Sequence, residues 1–193
     1  MGAPPRILAF SGSTREGSFN RLLLKAAAKG ARDAGAEVTE IDLRDHPLPL
    51  FDEDVERARG APEAARRLKE LFLAHAGLLV ASPEYNSSVS GVLKNAIDWV
   101  SRPAPGEASL ACFRGKVAAL LSASPGSLGG LRGLAALRSI LGNIGVLVLP
   151  DQVAVPQARE AFLEDGSLKD GKRQAAAEGV GASLARLLAR LAP

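Results

Sequence analysis

The chain predicts an α/β fold with a parallel, doubly wound sheet, and two observations carry this. Strand-like runs at Arg6–Ser11, Glu37–Leu43, Gly77–Ser82, Lys116–Ser122 and Val146–Leu149 alternate with segments of helical periodicity. That alternation lays a parallel sheet between two layers of helices. The runs ending at Ser11, Ser82 and Ser122 each open into a polar loop containing glycine. In such sheets ligands sit outside the carboxyl ends of the strands, so these three loops form the expected site. The 193 residues suit a single domain, residues 1–193, large enough to close a core.

Each element has its own signals. Arg6–Ser11 is apolar, with Pro-Pro before it and Gly after. Ser18 is placed to cap a helix carrying Leu22, Leu23, Ala26, Ala27 and Gly30 along one side, ended by Gly35. Asp45–Gly60 reads as a long polar connection. Pro62 suits the first turn of a helix that runs to about His75. After Pro83 a helix presents Val92, Leu93, Ala96, Ile97 and Val100 on one face, and Pro103 stops it. A further helix covers Leu131–Leu141, and the chain stays extended from Val146 to Pro156. Asp165-Gly166 turns it into a last Ala/Leu-rich helix, Leu168–Leu191.

Composition narrows the function classes. Aromatic residues are only 4%, so Ala, Leu and Val carry most of the packing, and the single Tyr85 and single Trp99 stand out. The net charge of +3 is spread along the chain without a Lys/Arg block. That suits anionic small molecules better than nucleic acid, which needs a clustered basic face. Cys112 is the only cysteine, so no internal disulfide and no cysteine-based metal site is expected. No apolar run approaches the roughly 18 residues of a membrane span, and the expected location is the cytoplasm.

The first loop reads Ser11-Gly12-Ser13-Thr14-Arg15-Glu16-Gly17-Ser18-Phe19-Asn20 and joins a strand end to a helix N-terminus. Unpaired backbone N–H groups and the helix dipole favour an anion there. Ser11, Ser13, Ser18 and Asn20 add neutral donors, and Arg15 adds a charge-assisted one. The dinucleotide G-x-G-x-x-G pattern is missing. Gly12 and Gly17 have the ATPase-loop gap, but Ser18-Phe19 stands where Lys and a hydroxyl belong. Nucleotide hydrolysis is therefore not expected, and a terminal phosphate monoester is.

The second loop and its helix read PEYNSSVSGVLKNAIDW, Pro83–Trp99. Pro83 fixes the backbone so that the following peptide groups stand in a row. Together with GSTREGSFNRLL, Gly12–Leu23, this segment resembles the NADPH-dependent FMN reductase family, which includes chromate, quinone and azo-dye reductases. The likeness runs from Arg6 to about Pro150. It implies a flavodoxin-like fold of three layers with strand order 2-1-3-4-5. It also implies bound FMN, with NADPH (or NADH) as donor and small acceptors such as free flavin, quinone, azo compound or chromate. The expected assembly is a homodimer or dimer of dimers. Carried onto this sequence, Ser13, Arg15, Ser18 and Asn20 hold the phosphate, with Ser11 and Phe19 beside them. Pro83, Glu84, Tyr85 and Asn86 line the flavin ring, and Ser124 and Gly126 meet the ring or ribityl chain from the third loop. No side chain is nominated as catalytic, because the flavin carries the chemistry. The alternative is a flavodoxin-type electron carrier, disfavoured by the basic charge, or a flavin-binding module, either without its own NAD(P)H activity. Two departures matter. Ser90 stands where the family often has Pro, which is expected to loosen the first helical turn. Ser87 stands where a bulky residue is common, which is expected to widen the acceptor pocket.

Other residues are set aside. His46 and His75 are expected at loop or helix-end surfaces, and no His/Cys/carboxylate cluster suggests a metal. Ser124 lacks a nucleophile-elbow motif. Asp52, Glu53 and Asp54 read as a solvated charge run. For Trp99 and Ile97, core or subunit-interface packing competes with flavin contact. Leu184, Leu187, Leu188 and Leu191 read as the core face of the last helix.

Overall fold

The computed structural model describes residues 3–192. Five parallel strands run in the order β2-β1-β3-β4-β5: β1 Arg6–Ser11, β2 Glu37–Asp42, β3 Gly77–Ala81, β4 Val117–Ala123 and β5 Leu147–Val155. This is the expected strand order. Alternating residues of the central strands feed two cores, as the period of a strand requires. Ile7, Ala9, Leu79, Ala81, Ala119 and Leu121 face α1 (Phe19–Asp33) and α7 (Gly171–Leu191). Leu8, Phe10, Leu78, Val80, Ala118 and Leu120 face α3 (Glu63–Ala74), α4 (Gly91–Ser101) and α5 (Leu131–Asn143). No described helix is long and apolar enough to cross a membrane.

The first face is closed by glycine. A Cβ at Gly181 of α7 would lie 1.8 Å from Ala27 O, and one at Gly30 of α1 would lie 2.0 Å from Glu178 O. The two helices therefore pack backbone to backbone, which brings α1 down onto the sheet and fixes where its N-terminus points.

The structure corrects several expectations. The acidic run after Asp45 is not all loop. Asp52 accepts from the N–H groups of Asp54 (2.8 Å) and Val55 (3.4 Å) and caps α2, Glu53–Arg59, whose first-turn acids sit at the favourable end of the dipole. That helix buries nothing, so the solvated reading of Asp52, Glu53 and Asp54 holds. Strand β5 runs on to Val155, past a register shift at Pro150, which has no N–H for the ladder. A short helix, α6 (Ala158–Ala161), follows it. The last helix begins at Gly171, capped by Asp170, three residues later than the Leu168 read from the sequence.

Side chains move too. His75 is buried rather than on the surface. Its Nδ1 donates to Leu71 O at 2.6 Å, and its Nε2 meets the Thr39 hydroxyl at 2.8 Å. Val92 is exposed, as is Leu191, while Leu187 is half-buried; Leu184 and Leu188 keep the core face of α7. Trp99 is fully buried, donates from Nε1 to Pro49 O at 2.8 Å and packs edge-on against Phe51, so it belongs to the packing.

Candidate functional site

At the carboxyl end of the sheet the loops after β1, β3 and β4 meet around a cavity of about 330 Å³. It is lined by Ser13, Arg15, Ser18, Phe19, Asn20, Pro83, Glu84, Tyr85, Ala123, Ser124, Pro125 and Arg159. Of the residues expected from sequence, Ser11, Asn86 and Gly126 are not among the lining. Ala123, Pro125 and Arg159 were not anticipated. Arg159 lies on α6, an element without a sequence signal, and its chemistry could not be placed before the chain's path was known.

The first loop is built to leave hydroxyl protons unused. Ser11 Oγ accepts from Ser13 N (3.2 Å), Ser13 Oγ from Arg15 N (3.3 Å), and Ser18 Oγ caps α1 by accepting from Arg21 N (3.4 Å). Each hydroxyl has thus taken a backbone donor and keeps its own O–H to give. Ser11 is buried behind the cavity wall, whereas Ser13 and Ser18 face it. The Arg15 guanidinium lies 4.8 Å over the Phe19 ring, and Phe19 stacks on Phe162 with centroids 6.0 Å apart. Asn20 does a second job. Its Nδ2 donates to Ala123 O (2.9 Å) and its Oδ1 accepts from Ala123 N (2.8 Å), tying the first turn of α1 to the end of β4. One amide hydrogen remains for a ligand.

The second loop is a tight two-residue turn. Tyr85 and Ser88 exchange backbone hydrogen bonds at 2.9 and 3.1 Å, while Asn86 and Ser87 take φ of 50° and 66°. Two positive-φ residues in succession give the turn whose twist suits a hairpin, but neither is glycine, so the turn is strained. The backbone N–H groups of Glu84 and Asn86 carry no hydrogen bond among the described residues, which leaves both for a ligand. Tyr85 remains 55% exposed, on the rim.

Ser90 overturns the expected loosening of α4. Its Oγ accepts from Leu93 N at 3.2 Å and donates to Gly12 O. One hydroxyl thereby caps the helix and binds it to the first loop, replacing the restraint of a Pro with two hydrogen bonds.

Glu84 connects the second and third loops. Helix α5 starts from Gly130 with no side-chain cap of its own. The Glu84 carboxylate supplies one, accepting from Gly133 N at 3.0 Å and from Arg132 Nε and Nη2 at 2.9 and 2.6 Å. Burial alone would raise its pKa, but the Gly133 N–H and the Arg132 guanidinium outweigh it and hold the carboxyl below its usual range. The only carboxylate in the cavity wall is thus already neutralised. The rest of the polar lining, hydroxyls, an amide and two arginines, can donate hydrogen bonds, which fits an anionic group such as a phosphate.

Comparison with known proteins decides the family. The profile for NADPH-dependent FMN reductases matches residues 5–160. The chain belongs to that family. It is 42% identical over 168 residues to an NAD(P)H-dependent FMN reductase of Pseudomonas aeruginosa, covering 86% of each chain. It is 36% identical over 150 residues to a quinone reductase of Escherichia coli, covering 77% of this chain and 76% of that one. Among solved structures, the flavoenzyme NAD(P)H:(acceptor) oxidoreductase FerB of Paracoccus denitrificans superposes with a TM-score of 0.80 at 30% identity, over 96% of this chain and 98% of that one. As a member of this reductase family the chain carries the flavodoxin-like fold, in the strand order that the resemblance implied.

Proposed function

We propose that this chain is an NAD(P)H-dependent oxidoreductase that holds FMN in the cavity between its first and second loops and reduces small acceptors such as quinones, free flavin, azo compounds or chromate. One observation carries the reading. A hydroxyl and guanidinium cradle at the N-terminus of α1 shares one cavity with the Pro83–Tyr85 turn. The ligand such a cavity fits has a phosphate at one end and a flat, hydrogen-bonding ring at the other.

When bound, FMN would supply hydride acceptance from the nicotinamide and electron delivery to the acceptor. The protein's own groups bind and orient. Ser13, Ser18 and Arg15 direct donors at the phosphate, reinforced by the dipole of α1. The unbonded N–H of Glu84, which lines the cavity beside the Tyr85–Ser88 turn, is the donor for an acceptor atom of the ring edge. Glu84 anchors that turn through its side chain, which is bound to Arg132 and Gly133. Exposed Tyr85 and small Ser87 leave the ring's outer face open to nicotinamide and acceptor in turn.

Exposed Leu128 and Leu131, on the third loop and on α5, support assembly into a homodimer or dimer of dimers. Sedimentation of the purified protein tests that. The function is tested by the absorbance spectrum of the purified protein and by aerobic NADPH oxidation. Flavin bands and turnover are expected. A colourless preparation that FMN cannot reconstitute would refute the reading.

A further inference from the structure

We infer that Arg159 is a second arginine for the FMN phosphate, reaching it from α6 rather than from the first loop. This rests on the FMN reading above. It adds a residue to the site from an element outside the three loops that face the flavin.

The path of the chain supports the assignment. Strand β5 ends at Val155, and Gln157 then takes φ 50°, a left-handed conformation that is strained for a residue other than glycine. That strained step turns the chain back over the third loop. There Gln157 N donates to Gly126 O (3.3 Å) and Ala158 N donates to Ser124 O (3.1 Å). Three residues beyond Arg159, Phe162 stacks almost parallel on Phe19, the first residue of α1, with 4° between the ring planes. The segment is thus held at both ends, on the third loop and on the helix N-terminus that faces the phosphate. Arg159 lies between these anchors and lines the same cavity as Arg15, Ser13 and Ser18.

Charge gives the reason. A phosphate monoester carries about −1.5 to −2 at neutral pH. The helix end offers about half a positive charge and Arg15 one more. Neither Arg15 nor Arg159 forms an ion pair with any described residue, although most other arginines of the chain do. An arginine kept free of carboxylates at the wall of an anion site is available to the anion.

The test is titration of apoprotein with FMN and, separately, with riboflavin, which lacks the phosphate, followed by quenching of flavin fluorescence. Arg159→Ala is expected to weaken FMN about tenfold or more, the scale of one lost charge-assisted hydrogen bond. Riboflavin affinity should stay unchanged, and Arg159→Lys should fall between the wild type and Arg159→Ala. Arg15→Ala should show the same FMN-selective loss. Equal weakening of FMN and riboflavin by Arg159→Ala would overturn the inference, because it would report distortion of the cavity. Unchanged FMN affinity would overturn it as well, including the case where only the KM for NADPH rises and the guanidinium serves the nicotinamide's phosphates. Wild-type apoprotein that binds neither flavin would instead refute the FMN reading on which the inference stands.

Discussion

The carboxylate of Glu84 accepts the backbone N–H of Gly133 at 3.0 Å, so a residue of the second loop caps the helix that follows the third. The second loop is therefore tied to the start of the helix that follows the third. Removing the side chain leaves a partly buried N–H and the positive end of α5 without a partner. Glu84→Ala should cost about 1–3 kcal/mol, and Arg132→Ala, whose side chain is 58% exposed, no more than about 1 kcal/mol. The pH dependence has a definite sign. The folded-state pKa of Glu84 lies below its unfolded value, so its contribution is complete above about pH 5 and is lost as pH falls through the folded value. Urea denaturation of wild type and Glu84→Gln should therefore give a stability difference that shrinks on acidification. A difference that grows would contradict the assignment.

Ser90 offers a cleaner case, because one oxygen serves two loops. Ser90→Ala removes the cap of α4 and the bond to Gly12 O and should cost about 1–2 kcal/mol in denaturant unfolding. Ser90→Pro restores the residue often found in the family. The native φ of −69° suits proline, and the stiffer unfolded chain returns about 0.4–1 kcal/mol. The Pro variant should therefore lie between wild type and Ser90→Ala. If it were the least stable of the three, the backbone at this position would not be as described.

Most of the fold was legible because the central strands are buried on both faces and read as continuous apolar runs. The edges were not. Pro150 breaks the β5 ladder, so the sequence pattern stopped at Leu149 although pairing resumes at Gln152. Helix α2 buries no residue, and without an apolar face it had no periodicity to find. At the site the loops could be named from their motifs, but not the use of each group. Asn20 and Glu84 looked like ligand contacts, and the structure shows that both side chains also join one loop or helix to another. Those partners lie 103 and 49 residues away in sequence, beyond what local pattern can encode.

The packing of α1 against α7 makes a sharp contrast between glycines of one helix. At Gly181 an added methyl would meet Ala27 O at 1.8 Å, while at Gly179 it would meet nothing within 4 Å. Gly181→Ala should destabilise by about 1–3 kcal/mol or more through overpacking. Gly179→Ala should stabilise by up to about 1 kcal/mol through helix propensity. Gly30→Ala, 2.0 Å from Glu178 O on the facing helix, should behave like Gly181→Ala. Thermal unfolding of the three variants is sufficient to check the order.

Asn20 separates scaffold from ligand binding. Its side chain is buried and satisfies both the N–H and the C=O of Ala123. Asn20→Leu strands those two backbone groups and should cost about 2–4 kcal/mol, the sum of two unmet hydrogen bonds. Asn20→Asp is more informative. The carboxylate can still accept from Ala123 N, but it faces Ala123 O without a proton to offer and adds a negative charge to the wall that also holds Ser13, Arg15 and Ser18. Stability should fall less than in the Leu variant. FMN affinity, however, should fall further than riboflavin affinity, because like charge repels the phosphate specifically. Raising the salt concentration should narrow that gap through screening. Equal losses for the two flavins, insensitive to salt, would mean that the phosphate does not lie beside α1.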